Sequence, residues 1–168
     1  MAPCAKRWMP FNATIKNQLM KLVWKDFLLS AALVFAIVFV GGAVNMLLVN
    51  LGGILIPAPK GADVTTMEGL KASIHLFKPI NFLFPFLAHA LGVLISSFLV
   101  IKFLKRNQIS IVTGIVVFNF IGGLMMVIDL PGAPLWFDLT DLILAYAPMG
   151  YLGWVLAGRK NVVPGRKP

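Results

Sequence analysis

The sequence predicts an all-α, polytopic membrane protein: four transmembrane helices in an antiparallel bundle, flanked by short interfacial helices. Three observations predict it. First, 59% of the 168 residues are hydrophobic and only 12% are charged, a balance far from that of a soluble domain. Second, the apolar residues gather into four blocks, roughly 27–56, 80–104, 109–128 and 139–157. Each approaches or exceeds the about 20 residues that a helix needs to cross a bilayer core. Third, charge alternates across the blocks. Segments 1–26, 102–106 and 159–168 hold twelve of the fifteen Lys/Arg and one acid, Asp26. The connections on the other side hold Lys60, Lys71 and Lys78 with Asp63, Glu68, Asp129, Asp138 and Asp141. That is the positive-inside pattern of a multi-pass protein with both termini in the cytoplasm.

The domain division follows: a basic cytoplasmic segment 1–26, a transmembrane domain 27–158 and a basic cytoplasmic tail 159–168. The spans are expected at about 27–50, 80–104, 109–128 and 139–157. Segment 12–25 reads as a short amphipathic helix in the membrane interface. Ile15, Leu19, Leu22 and Val23 form its apolar stripe, with Lys16, Lys21 and Lys25 off it. The first block is too long for a single straight span, so the helix is expected to end near 50–53. Gly41-Gly42 and Gly52-Gly53 are the candidate bends. With about 26 residues before it and no small-x-small site after it, this block is a retained span and not a cleavable signal.

The loop 57–79 opens on Pro57-Ala58-Pro59. Thr65 and Glu68 then have capping-box spacing, which predicts an outer interfacial helix over 65–77. In the second block Pro85 should lie near the first turns or bend the helix. Ala88, Gly92 and Ser96 make a small-x-x-x-small ladder for close helix packing, and His89 is adjacent to it. A tight basic turn around Lys105-Arg106 joins blocks two and three. Leu130 through Pro134 reverse the chain, and Trp136-Phe137 suit an interfacial aromatic belt. Asp138 reads as the N-cap of block four with Asp141 at N3, and Pro148 as a kink within it. The halves also echo each other: Phe39-Val40-Gly41-Gly42 matches Phe120-Ile121-Gly122-Gly123, and Leu87-Ala88-His89-Ala90 matches Leu144-Ala145-Tyr146-Ala147. A parallel repeat of two hairpins would place His89 and Tyr146 at equivalent depths.

Several chemistries are excluded. The basic residues flank apolar blocks, so they orient the chain and meet anionic headgroups, with Lys16, Lys21, Lys25, Lys105 and Arg106 as the headgroup contacts. Nucleic acid is not the expected partner. Cys4 is the single cysteine, which rules out an internal disulfide or a paired-cysteine metal site. No phosphate-binding glycine loop, H-E-x-x-H, G-x-S-x-G or C-x-x-C is present, so no catalytic residue, metal or cofactor is expected. His75 and His89 have a spacing that could pair two haem ligands on one helix. Pro79 and Pro85 intervene, and there is no second His pair.

The residues that remain form two candidate sites. Inside the membrane lie His89, Asn45, Asn119 and Tyr146. Ionisable groups at that depth are expensive and point to function, although His89 could instead hydrogen-bond structurally to Asn45 or Asn119. On the outer face Glu68, His75 and Asp129 could hold a cation. Asp129 stands out because it ends an outgoing helix, where the dipole disfavours an anion unless a partner such as Lys78 is near.

The stretches Ile56 through Asp63, Met67 through Phe77, Pro85 through Gly92, and Trp136-Phe137-Asp138 through Pro148-Met149 resemble a family of small bacterial four-span membrane proteins. The resemblance covers about 40–153. It implies a bacterial inner-membrane protein and carries no activity or site residues. Two function classes follow. The first is a non-catalytic structural or accessory subunit that packs with other membrane subunits or with itself. The alternative is a small transporter or channel for a proton, cation or small solute centred on His89. A lipid-modifying enzyme is a third, lesser reading.

Overall fold

A computed structural model describes residues 13–158, with side chains from Ile15 onward. The basic ends and Cys4 lie outside the described residues. The structure is all-helical, and four of its helical stretches are long and apolar enough to cross a membrane: Ile15–Leu55, Pro79–Phe103, Gln108–Asp129 and Leu135–Leu156. The chain is a multi-pass membrane protein. Its described part divides into two compact units, 13–35 and 36–158.

Helix α1, Ala13–Leu55, is continuous over 43 residues. The sequence suggested a separate interfacial helix over 12–25 and a stop near the glycine pairs, and neither occurs. Leu, Val and Ala dominate the helix, and glycines cost only about 1 kcal/mol each in a helix, too little to end one in an apolar run. Within the first unit Lys16, Lys21 and Lys25 are exposed, as are Ile15, Leu19, Leu22 and Val23.

In the second unit the glycines of α1 have a packing role instead. Gly41 and Gly52 are eleven residues apart, three turns on one face. A Cβ on Gly41 would overlap Ser96 Oγ and come within 2.9 Å of the Gly92 carbonyl oxygen, and one on Gly52 would strike Phe84. Gly42 and Gly53 face open space. The Ala88–Gly92–Ser96 ladder therefore is a packing surface, and all three of its residues are buried.

The loop after α1 carries α2, Met67–Ser73, and a 3-10 turn, Ile74–Leu76. The cap differs from the expected capping box. Thr66 is the N-cap, accepting from the Gly69 amide at 2.9 Å, and Thr65 turns back to Asp63. Asp63 accepts from the Thr65 amide at 2.8 Å and the Thr65 hydroxyl at 2.6 Å, while its own amide donates to Ser73 Oγ at 2.9 Å. The Thr65 hydroxyl and amide hold the Asp63 carboxyl below its ordinary range.

A 3-10 turn, Pro79–Phe82, leads into α3, Leu83–Phe103, with Pro85 in the first turn where a missing amide costs nothing. Gln108 Nε2 donates to the Ile101 and Leu104 carbonyls at 2.9 and 2.5 Å. It thereby satisfies carbonyls orphaned at the end of α3, and α4, Gln108–Asp129, returns across the membrane.

The last span is broken. Helix α5, Leu135–Leu144, stops at Ala145, and α6, Ala147–Leu156, starts after Tyr146 (φ −109°, ψ −75°). The expected kink inside block four is thus an interruption. Pro148 has no amide to give the Leu144 carbonyl, and it sits in the first turn of α6, where that loss is free. Pro134 is the N-cap of α5, and Asp138 lies in its first turn instead of capping it. The interruption also separates the two hairpins: α3 is continuous where its counterpart is two half-helices.

Helix α3 is the centre of the second unit. Ala88, Ala90, Val93 and Val100 are essentially inaccessible. It packs on α6 through small residues. A Cβ on Gly153 would lie 2.5 Å from the Leu94 carbonyl and 2.9 Å from Ser97 Cβ.

Candidate functional site: a carboxylate, an imidazole and a phenol inside the membrane

Helix α3 brings His89 to the middle of its span. Ten residues separate it from Pro79 and fourteen from Phe103, about 15 and 21 Å at helical rise. Opposite it, the α5–α6 interruption presents two further polar groups. Asp141 projects from the last turn of α5, and Tyr146 is the residue on which α6 begins.

The three side chains meet. His89 Nδ1 lies 2.9 Å from both Asp141 carboxylate oxygens. The Tyr146 hydroxyl donates to Asp141 Oδ2 at 2.9 Å and stands 3.2 Å from His89 Nδ1. The imidazole and phenol rings stack at 5.9 Å with planes 28° apart. Asp141 is 5% exposed and Tyr146 2%, and the His89 side chain is 28% exposed. His89–Asp141 is the one ion pair among the described residues.

Packing over-determines this arrangement. Tyr146 joins Ala90, Val93 and Ala145 in a buried apolar cluster, with Phe86, Val116, Leu142 and Met149 against it. Its ring edge meets Phe120 at 6.0 Å. Gly123 of α4 exists to admit it, since a Cβ there would overlap the phenol oxygen and lie 2.7 Å from the ring carbon bearing it. Gly123 therefore marks the site boundary, while Gly122 beside it faces open space.

The geometry fixes much of the chemistry. A carboxylate 2.9 Å from Nδ1 holds a proton on that nitrogen, whether the ring is neutral or cationic. The ring's other nitrogen is Nε2. That atom has no protein partner and is not buried, in contrast to Ser97 Oγ, the buried side-chain polar atom without a partner among the described residues. Asp141 accepts from two donors, His89 Nδ1 across both of its oxygens and the Tyr146 hydroxyl on Oδ2.

Of the four intramembrane residues singled out from sequence, the structure brings together His89 and Tyr146. Asn119 Nδ2 donates to the Ile115 carbonyl of its own helix at 2.8 Å, and Asn45 lies on α1 beside Gly92. Neither partners His89. Asp141 is the residue that sequence reasoning assigned elsewhere. It was read as a helix cap because it follows Asp138 at i+3 near the start of a block. The available signal was its depth: six residues into an apolar helix is already about 9 Å from the end.

The outer-face group is not assembled. Glu68 in α2, His75 in the 3-10 turn and Asp129 at the end of α4 are each exposed. Among the described residues no group of three His, Cys, Asp or Glu could hold a metal ion, and Lys78 makes no ion pair with Asp129. Lys105 and Arg106 are exposed in the α3–α4 turn. Comparison with family models, with curated proteins and with solved structures finds no match to this chain.

Proposed function

We propose that this chain is a small transporter or channel of a bacterial cytoplasmic membrane whose His89–Asp141–Tyr146 cluster binds and passes protons. The observation that carries the reading is a carboxylate only 5% exposed, held by an imidazole and a phenol between helices long and apolar enough to cross a membrane. A buried ionic group is a poor way to stabilise a bundle, because apolar residues of the same volume usually serve as well or better. Intramembrane acids and histidines concentrate instead on ion pathways. An imidazole can both donate and accept a proton, and the His89 side chain is 28% exposed. The half-helices α5 and α6 meet at the cluster, the architecture by which transporters place ion sites. The distribution of Lys and Arg supports cytoplasmic termini.

Reconstitution tests this reading. Proteoliposomes with an internal pH dye and an imposed pH step should acidify faster than empty vesicles. Asp141→Asn and His89→Ala should each slow that flux at least ten-fold while remaining folded by circular dichroism. Flux equal in wild type and both variants would overturn the reading.

A second reading, an accessory subunit or homo-oligomer, is favoured by α1. Phe39, Leu47 and Ile54 are 70%, 67% and 75% exposed on it, a surface that another copy or another subunit could cover in place of lipid. Native mass spectrometry from mild detergent tests it. A defined multimer or hetero-complex supports it, and a monomer removes it.

A further inference from the structure

Within the second unit α1 has two faces. Gly41 and Gly52 set one of them against α3. Nearly opposite, about 150° round the helix, runs a second line: Ala36, Phe39, Ala43, Met46, Asn50 and Gly53. Their spacings of 3, 4, 3, 4 and 3 residues are the heptad pattern of a helix that lies along another helix. All six residues are exposed, and a Cβ on Gly53 would meet nothing within 4 Å.

One member of the line is polar. Asn50 Nδ2 donates to the Met46 carbonyl of its own helix at 2.7 Å. A carboxamide has two N–H donors and an acceptor oxygen, so one donor and Oδ1 have no partner among the described residues. Its depth follows from the packing of α1 on α3. Gly52 lies against Phe84, five residues into the span Pro79–Phe103. Asn50 is two residues further in, at the level of Phe86 and about 10 Å from the Pro79 end. Lipid chains offer neither donor nor acceptor, and unpaired amide groups are costly among them. Membrane helices satisfy such groups on a neighbouring helix, and α1 presents this one away from its own bundle.

The chemistry of the line selects a second copy of this chain. Copies inserted in one orientation can share a two-fold axis only along the membrane normal, which sets each residue near the axis against its own equivalent at one depth. Such an axis calls for a group complementary to itself. A carboxamide is one: its N–H donates to the other copy's Oδ1 while its own Oδ1 accepts the other copy's N–H. The side chain is short, so the two backbones must come close for the amides to meet. Ala43, two turns before Asn50, and Gly53, one turn after it, allow that approach.

We propose that two copies of this chain pair along α1, with their Asn50 carboxamides hydrogen-bonded to each other at the two-fold axis. This rests on the oligomer reading above, for which it names the partner and the contact. The test uses the full chain in liposomes, with energy transfer between donor- and acceptor-labelled copies followed as the protein is diluted in lipid. Asn50→Leu should weaken pairing about ten-fold, toward the upper range of polar contacts between membrane helices. Asn50→Gln, which keeps the amide, should retain most of the pairing. In a Cys4→Ser background, Ala43→Cys and Met46→Cys should each give a disulfide-linked dimer on oxidation. Leu51→Cys, exposed but off the line, should not. Pairing of equal strength in Asn50→Leu, or cross-linking at 51 in place of 43 and 46, would overturn the proposal and leave an oligomer that uses another face. A monomer at every dilution removes both, and a stable complex with a different protein that excludes self-pairing sinks the proposal alone.

Discussion

The Tyr146–Asp141 hydrogen bond lends itself to a double-mutant cycle. Tyr146→Phe removes the hydroxyl and keeps the ring, which stays packed on Gly123 and Phe120. Asp141→Asn keeps the shape and removes the charge. Hydrogen bonds to charged groups contribute about 1.5–3 kcal/mol in soluble proteins, whereas interhelical polar pairs in membranes average about 0.6 and reach about 1.7 kcal/mol. This pair has a 2.9 Å separation, a carboxylate acceptor and partners 2% and 5% exposed. It therefore belongs at the upper end of the membrane range, and a coupling of about 1.5 kcal/mol is expected. Reversible unfolding in mixed micelles, or steric trapping, would measure the wild type, both single variants and the double variant. A coupling below about 0.3 kcal/mol is within the additivity of independent sites and would refute the claim that the phenol and the carboxylate form one unit.

Other predictions concern the scaffold. Gly41→Ala should destabilise the bundle by about 1–3 kcal/mol, because its Cβ meets backbone of α3. Gly42→Ala, facing open space, should be neutral or stabilising by up to about 1 kcal/mol; equal effects in unfolding measurements would contradict the packing. Pro148→Ala should let α5 run into α6, seen as slowed hydrogen exchange of the amides of 146 and 147; unchanged exchange would show that proline is not what breaks the span. Asp63 has a folded-state pKa below its unfolded value. Its stabilisation of the α2 loop is present above the unfolded pKa, near 3.8, and should be lost as pH falls through the lowered value. Hydrogen exchange of 63–76 should rise in that acid window, and Asp63→Asn should remove the pH dependence.

The four spans were legible because hydrophobic length and charge asymmetry are properties of whole segments, and burial in lipid leaves little competition. What was misread depended on who sits opposite whom. Gly41 could be a bend or a contact, and only Gly92 and Ser96 across from it decide. Asp141 could be a cap or a buried acid. Its spacing from Asp138 argued for the cap, and its partner His89 is 52 residues away. Tyr146 was found through its match to His89 in the two halves, although one sits within a continuous helix and the other at a break. The outer-face acids were grouped because they share a side of the membrane, which says nothing about distance within it.

The pairing of Asp141 with His89 has a consequence for how the protein is made. The last span is the least apolar of the four and contains two aspartates, Asp138 and Asp141. An aspartate at the centre of a lone helix costs about 2.5–3.5 kcal/mol of insertion free energy, and Asp141, well inside the span Leu135–Leu156, carries part of that cost. The partner that offsets this cost is in α3, synthesised earlier and already in the bilayer when 135–156 emerges. The first three spans thus form a receptor for the fourth, and losing His89 should slow the entry of the C-terminal span into the membrane without preventing it.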